Sequence, residues 1–462
     1  MAAAFPLASR ESSVKMEALV DEITQSVQAL KHSQPIASPE FQELRQRLVE
    51  ASWQLHQHAL GPGEYILSLS VGVHYTACLK WLCRFKVFNG VPLEGSIAYD
   101  KLAAAISAPE GALKSVARMA MTSNLFAEPT PNHIAHSPTS AMIAINPNLL
   151  LWAEFMTDVG VPTASAFADA TQRWPGSLSN TETAYNLAFD TQLPLFEHLK
   201  TLPARTEQFA GYMKSVTNSE GTSLKHLVSG YHWAALLQDS LVVDVGGSTG
   251  HGSIAIAEKF PGLRFIVQDL ATNADAGRDA LAIAGENEAQ KGLADRITFQ
   301  AHDFFQEQPI VGADVYLLRM IIHDWSDDDS VRILSRIVKA MEVNKAKSSL
   351  VIMDSVLPLP GQLPATLERL LRLRDLTMRQ VFNSRERAPE EWSALIGRVD
   401  PTLKLVKTTK PLGSVLSVME WKFEDPAAHT IMASKVEEQV AKEEKATPVA
   451  VKYAAADGLV TA

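Results

Sequence analysis

The sequence predicts an α/β fold, a parallel sheet with helices on both faces, preceded by a long helical region that contains a winged-helix pattern. Three observations carry this. From Leu241 onward, short β-branched runs alternate with helical periodicities; a glycine-rich turn follows the first of those runs and opens a helix; and before Gln238 the spacing is helical apart from two short strands. A chain of 462 residues exceeds one ordinary core, so at least two folded units are expected.

In chain order, apolar residues recur at helical spacing at Met16, Leu19, Val20, Ile23, Val27 and Leu30, and a Pro/Ser break between Gln34 and Pro39 starts a second helix. Residues 1–60 are therefore expected to form an N-terminal helical region. Residues 61–150 run helix, helix, helix, then two strands: Tyr99–Ile106 and Glu110–Thr122 precede Leu125–Glu128 and His133–His136, which flank a Pro-Thr-Pro-Asn turn. The window Tyr65–Phe85 is apolar, but His74, Lys80 and Arg84 interrupt it, which predicts a buried helix rather than a membrane span. The third helix, Gly111–Met121, offers a DNA groove only Lys114 and Arg118, so the module is expected to pair with a second copy of itself, as a homodimer. His133 and His136 in the wing read as exposed strand residues rather than ligands.

Residues 151–238 continue as a helical connector through LLWAEFM, TAYNLAFD and FAGYMKSV. Residues 239–423 carry the sheet. Strands are expected at Leu241–Val245, Leu263–Gln268, Ile297–Ala301, Ala313–Arg319 and Ser348–Met353, with helices at Gly250–Lys259, Ala276–Glu288 and Asp328–Met341. Residues 424–462 mix Lys, Glu and Ala without aromatic anchors until Tyr453, and read as a solvated, partly helical tail.

Composition narrows the function classes. Hydrophobic residues at 46% and charged residues at 20% fit a soluble globular protein. A formal net charge of −10 and the lack of a basic patch argue against nucleic acid as a partner. Cys78 and Cys83 share one helical segment and point apart, no Cys/His spacing suits zinc, and no metal site is expected. The start, MAAAFPLASRESS, lacks the basic and long apolar segments of a secretory leader, so a cytoplasmic location is expected.

The strongest local signal is LVVDVGGSTGHGS, Leu241 to Ser253, at a strand-to-helix junction. Gly246, Gly247 and Gly250 let the backbone turn tightly and approach a ligand at the carboxyl edge of the sheet. The second strand ends at Asp269, followed by Leu270, and a carboxylate there suits ribose hydroxyls. Asp244 stands where a pyrophosphate would be repelled and an ammonium or sulfonium welcomed. That charge argument favours S-adenosylmethionine over a dinucleotide. The third strand leads to Asp303 and Phe304, an acceptor and an apolar wall that suit an adenine; the other reading of Asp303 is a cap for its own turn.

These residues resemble the plant and fungal class of S-adenosylmethionine-dependent O-methyltransferases that have an N-terminal winged-helix dimerisation domain. The resemblance rests on DVGGSTG, VQDL, HDFF, LLRMIIHDWSDDD, DSVLP and DLTMRQVFNSRERAPEEW, in the family's order, and covers roughly Tyr65 to Trp421. It implies a Rossmann-like S-adenosylmethionine-dependent methyltransferase domain behind the helical and winged-helix region. It also implies Gly246, Asp269, Asp303, Phe304 and Arg319 at the cofactor, His323 as catalytic base, Asp354 and Glu386 as flanking acids, and Met320, Trp325, Met378 and Phe382 as pocket lining. Ser248 stands where many relatives have a third glycine, and Ala388 replaces the usual Thr of an ERT triplet. Asp354 stands where plant members carry Glu. The fungal branch, whose acceptors are phenols, polyketides and alkaloids of secondary metabolism, resembles the chain better.

The chemistry follows from the residue types. A neutral phenol is a poor nucleophile, and a histidine of unperturbed pKa about 6.5 can take its proton, a contribution of roughly 10² to 10⁴ in rate. A carboxylate on the other ring nitrogen, from Asp354 or Glu386, would fix the tautomer. The plainer reading of His323 is a structural histidine at a strand end. Ser326 and Asp329 have the spacing of a helix N-cap pair, which leaves Asp327 to Asp329 out of the site, and His251 reads as a surface helix residue. Two alternatives stand beside methyl transfer: a pericyclase or cyclase of the same fold that binds the cofactor without consuming it, as in fungal natural-product biosynthesis, and a winged-helix regulator that senses it.

Overall fold

Helix-forming patterns, caps and the glycine turn build the elements in the computed structural model, which describes residues 10–33, 38–284 and 292–424. Helices α1 (Arg10–His32) and α2 (Pro39–Leu60) pack on each other. Ser38 caps α2 by accepting from the Phe41 amide at 3.1 Å, Pro39 sits in the first turn, and Gly61 at φ +66° ends it.

Helix α3 (Tyr65–Arg84) corrects the expectation of a buried helix. Its C-terminal end, at Leu82 and Cys83, is core, but Tyr65, Ile66, Leu67, Leu69 and Val73 are 52–70% exposed. The helices Glu110–Met121 and Pro147–Phe155 pack on α3 but leave its apolar start uncovered. By length and composition Pro62–Arg84 could cross a membrane. Cys78 and Cys83 are both free.

Strands β1 (Ile97–Ala98), β2 (Ala127–Thr130) and β3 (His133–Ala135) form an antiparallel sheet in the order β1-β3-β2. On the Glu110–Met121 helix, Lys114 pairs with Glu110 at 2.7 Å and Arg118 makes two 2.9 Å bonds to Glu128. His136 is half-buried rather than exposed. Its ring nitrogens meet Ser140 Oγ at 2.9 Å and the Val91 carbonyl at 3.1 Å, and burial pushes its pKa down.

The main sheet has seven strands among the described residues, in the order β6-β5-β4-β7-β8-β10-β9. They are β4 (Leu241–Val245), β5 (Arg264–Asp269), β6 (Ile297–Ala301), β7 (Val315–Arg319), β8 (Ser349–Asp354), β9 (Leu403–Thr409) and β10 (Ser417–Phe423). The first five run parallel, whereas β10 pairs antiparallel with both β8 and β9. That antiparallel edge was not foreseen: β9 is exposed beyond Leu403, so its sequence lacks the apolar run of a central strand. Val242, Val315, Leu317, Val351 and Met353 pack into the core on one face; Val243, Val245, Leu318, Leu350 and Ile352 pack on the other. The helix expected at Ala276 starts at Ala271, directly after Asp269 and Leu270, because the Leu270 carbonyl already accepts from Asn273 and Ala274. The end expected for that helix, at Glu288, and the tail beyond Glu424 lie outside the described residues.

Candidate active site

All candidate site residues that follow strands lie at the carboxyl edge of the parallel sheet, on both sides of the switch between β4 and β7. The turn after β4 is tight. Gly246 has φ +73°, and a Cβ there would lie 2.6 Å from Ile321 Cδ1; a Cβ on Gly247 would lie 2.7 Å from Asp244 Oδ2. The Gly246 and Gly247 amides both donate to the Gln268 carbonyl, at 2.8 and 3.1 Å.

Asp244 departs from its expected place facing a ligand. It lies buried beneath the turn, where its Oδ2 accepts the Ser253 hydroxyl at 2.7 Å, and burial pushes its pKa up to about 6. Asp269 braces the turn: Oδ2 accepts from the Ser248 amide at 2.8 Å, and Oδ1 from the Leu270 amide at 2.8 Å and Asn273 Nδ2 at 2.7 Å. Leu270 beside it is 58% exposed. Asp303 does cap its own turn, accepting from the Phe305 amide at 3.0 Å through Oδ1 alone. Phe304 borders Gly246 and meets Trp325 edge-on at 5.7 Å, so Phe304 flanks the glycine turn with Trp325 packed against it.

His323 sits in a short turn, Ile322–Asp324, entered through Met320. Met320 holds a left-handed φ of +56°, a strained conformation for a side chain of this kind, while its amide donates to the Met353 carbonyl at 3.0 Å. Nδ1 of His323 lies 3.0 Å from Glu386 Oε1 and 3.6 Å from Asp354 Oδ1; Nε2 lies 3.5 Å from Asp324 Oδ1. The Nδ1 partner is thus Glu386. Burial opposes charge on the ring, but Asp354, Asp324 and Glu386 outweigh it and push the imidazole pKa up to about 9. Burial in turn pushes Asp354 up to about 6, and neither of its oxygens has a hydrogen-bond partner among the described residues. Glu386 is held below the usual range: burial opposes this, and His323 and Arg374 outweigh it. The donor atoms of His323, Asp354 and Glu386 fall within 4.8 Å of one another, a spacing that could suit a metal; here the Arg374 guanidinium, 3.4 Å from Glu386, supplies positive charge.

Other residues that were not singled out from the sequence hold this turn in place. Ser384 Oγ lies 2.6 Å from the His323 carbonyl and 2.7 Å from that of Trp325. Arg387, fully buried, donates to the Ile322 carbonyl at 3.1 Å, the Trp325 carbonyl at 2.9 Å and Asp327 at 2.9 and 2.8 Å. The backbone amide of Glu386 donates to Asp375 Oδ1 at 3.1 Å. Their only sequence signal was their place within DLTMRQVFNSRERAPEEW. Arg319, expected at the cofactor, runs beneath the site; its Nη2 donates to the Thr222 carbonyl at 2.6 Å, and it interacts with Asp244 and Asp354.

Met378 and Phe382 follow Leu371 and Asp375 at helical spacing on the Ala365–Phe382 helix. Phe382 packs on Phe196 at 5.5 Å and against the aromatic cluster of Phe155 and Tyr185, and Phe155 stacks on Tyr212 at 5.1 Å. Residues 155–212 therefore supply an aromatic wall against Phe382. The acids after Trp325 are structural, as their spacing indicated: Ser326 caps the Asp327–Met341 helix through the Asp329 amide, Asp327 binds Arg385 and Arg387, and Asp328 binds Arg398.

Comparison with known proteins agrees with this geometry. An O-methyltransferase domain model matches residues 169–399. The chain is 47% identical over 386 residues to O-methyltransferase aurJ of Gibberella zeae, covering 83% of this chain and 87% of that protein. Among solved structures, OxaC in complex with sinefungin and meleagrin is similar with a TM-score of 0.70 at 23% identity, covering 89% of this chain and 99% of that one. The LepI complex with SAM is similar with a TM-score of 0.68 at 22% identity, covering 88% and 99% of the two chains.

Proposed function

The chain belongs to the O-methyltransferase family, and from that premise we propose that His323 is the base that frees an acceptor hydroxyl for methylation, with Glu386 holding the ring. The protein is an S-adenosylmethionine-dependent O-methyltransferase. The residues present fit that cofactor: a tight turn that only glycine allows at Gly246 and Gly247 lies at the carboxyl edge of the sheet, Asp269 follows the next strand, and Phe304 flanks the turn. Gly246 and Gly247 would lie along the amino-acid end, Asp269 and Leu270 at the ribose, and Asp303 with Phe304 at the adenine. Asp244 and Arg319 would act from beneath. When bound, S-adenosylmethionine supplies a methyl group activated on a sulfonium.

The observation that carries the base assignment is the 3.0 Å contact between His323 Nδ1 and Glu386 Oε1. With a carboxylate on Nδ1, the ring keeps its proton there and presents Nε2 to the acceptor. Nε2 takes the hydroxyl proton, and Asp354 and Glu386 stabilise the imidazolium that results. Met320, Met378 and Phe382, with the aromatic wall behind them, suit a flat apolar acceptor, and the substrate class is a small hydroxylated aromatic, polyketide or alkaloid.

The exposed start of α3 is the face we assign to a homodimer, within a winged-helix unit of residues 61–150 that follows helical residues 1–60. A connector, 151–238, leads to a catalytic unit, 239–423. Paired Lys114 and Arg118 support a protein without a nucleic-acid partner, two free cysteines suit a cytoplasmic location, and a dimer across the α3 face would cover its apolar surface without membrane attachment.

The test is direct. Purified protein with S-adenosylmethionine and a panel of phenolic acceptors should release S-adenosylhomocysteine, and His323→Ala should cut the rate by about 10² or more with cofactor affinity unchanged. A rearranged or cyclised acceptor formed without release of S-adenosylhomocysteine would overturn the reading in favour of a cofactor-retaining cyclase.

A further inference from the structure

Arg374 and Arg387 both approach the His323 cluster, and they differ in how their donors are used. Arg387 is spent on structure: its nitrogens are bonded to Ile322, Trp325, Asp327 and Ser330. Arg374 is not. Its Nε donates to Ser355 Oγ at 3.1 Å and lies 3.4 Å from Glu386 Oε1, and no described residue accepts from either Nη group. The side chain is only 18% exposed, so four N–H donors on a mostly enclosed cation stand without a protein partner. Arg374 also lies within electrostatic reach of Asp324 and Tyr212, the acid beside Nε2 and a ring of the aromatic wall.

We infer that Arg374 determines acceptor specificity, its guanidinium holding an oxygen acceptor, carbonyl or carboxylate, that the substrate carries beside the hydroxyl to be methylated. This rests on the methyl-transfer reading of the site. Arg374 Nε and His323 Nδ1 approach the same Glu386 oxygen, at 3.4 and 3.0 Å, which places the two side chains side by side, so that one small molecule can meet the free Nη groups of one and Nε2 of the other; ortho substitution is the closest pairing of the two substrate groups. A planar fork of donors matches an oxygen acceptor better than any apolar substituent. It also serves the reaction: a hydroxyl next to a carbonyl is tied up in an internal hydrogen bond, and a donor that takes the carbonyl releases the hydroxyl proton to His323.

The test measures binding by calorimetry to protein saturated with S-adenosylhomocysteine, using 1-hydroxy-2-acetonaphthone, 1-hydroxy-2-naphthoate and the parent 1-naphthol. One of the substituted probes should bind about tenfold tighter or more than 1-naphthol. The ketone alone doing so identifies a neutral carbonyl, and the acid alone a carboxylate. Arg374→Gln should bring that ratio close to one; the ratio is the readout, so that a change in affinity common to all three probes cancels. If Arg374→Gln loses affinity for S-adenosylhomocysteine, Arg374→Lys, which keeps the charge without the fork, is read instead. No preference in the wild type, absence of binding included, or a preference that survives the substitution overturns the inference. Failure of the underlying reading shows separately, as no S-adenosylhomocysteine released from S-adenosylmethionine with any hydroxylated acceptor.

Discussion

Nδ1 of His323 lies 3.0 Å from Oε1 of Glu386, and the two side chains are almost wholly buried. Glu386→Gln keeps the size of this partner and removes its charge. The rate of methyl transfer should fall by about 10² or more, since an amide no longer stabilises the imidazolium. The pH dependence gives an independent reading. With its pKa pushed up to about 9, the ring is protonated at neutral pH in the unliganded protein, so kcat/KM should rise with pH and level off above the ring's pKa. In Glu386→Gln one raising charge is gone and the inflection should move to lower pH. Rates that stay flat across this range would show that His323 is not the base.

Two substitutions in the glycine turn should differ. A Cβ at Gly247 would meet Asp244 Oδ2 and Val267 Cγ1 at 2.7 and 2.8 Å, so Gly247→Ala should weaken S-adenosylmethionine binding about tenfold or more in calorimetry. Ser248 holds φ +52°, the conformation that suits the glycine of its relatives. Ser248→Gly should bind the cofactor as the wild type does and change stability by less than about 1 kcal/mol, strain relief offsetting backbone entropy.

The helix Pro389–Val399 begins at Ala388, whose amide donates to Glu391 Oε2 at 2.8 Å but whose side chain has nothing to give in return. Restoring threonine completes the capping box. Ala388→Thr should raise stability by about 1 kcal/mol and the midpoint of thermal unfolding with it. An unchanged midpoint would refute this.

The apolar start of α3 needs a cover. Sedimentation velocity should find the wild type at twice the chain mass, and Ile66→Glu with Leu67→Glu, both outward-facing, should yield a folded monomer. A wild-type monomer, or a double variant that stays dimeric, removes this face from the interface.

The parallel strands, the glycine turn and the position of His323 just after a strand were legible in the sequence because each is a local pattern: a β-branched run, a required left-handed turn, a strand end at the sheet's carboxyl edge. The cap pair Ser326 and Asp329 was legible for the same reason, three residues apart on one helical turn. Strand β9 was not, since an exposed edge strand has no apolar run to mark it, and β10, buried between β8 and β9, escaped because Glu420 and Lys422 interrupt its short apolar run. The exposed half of α3 was read as core because apolarity marks a face to be covered and does not say by which chain.

Sequence alone thus determined the chemistry on offer: a glycine turn for a cofactor, a histidine near neutral pKa, and acids at successive strand ends. Tertiary structure decided how those groups are used. Glu386, 63 residues from His323 along the chain, and not Asp354, bonds the ring; Asp244 turns under the loop to Ser253; Arg387 is saturated while Arg374 is left with donors to spare. Such choices depend on distances and burial between segments far apart in the chain, where a shift of about an ångström turns a hydrogen bond into a mere neighbour.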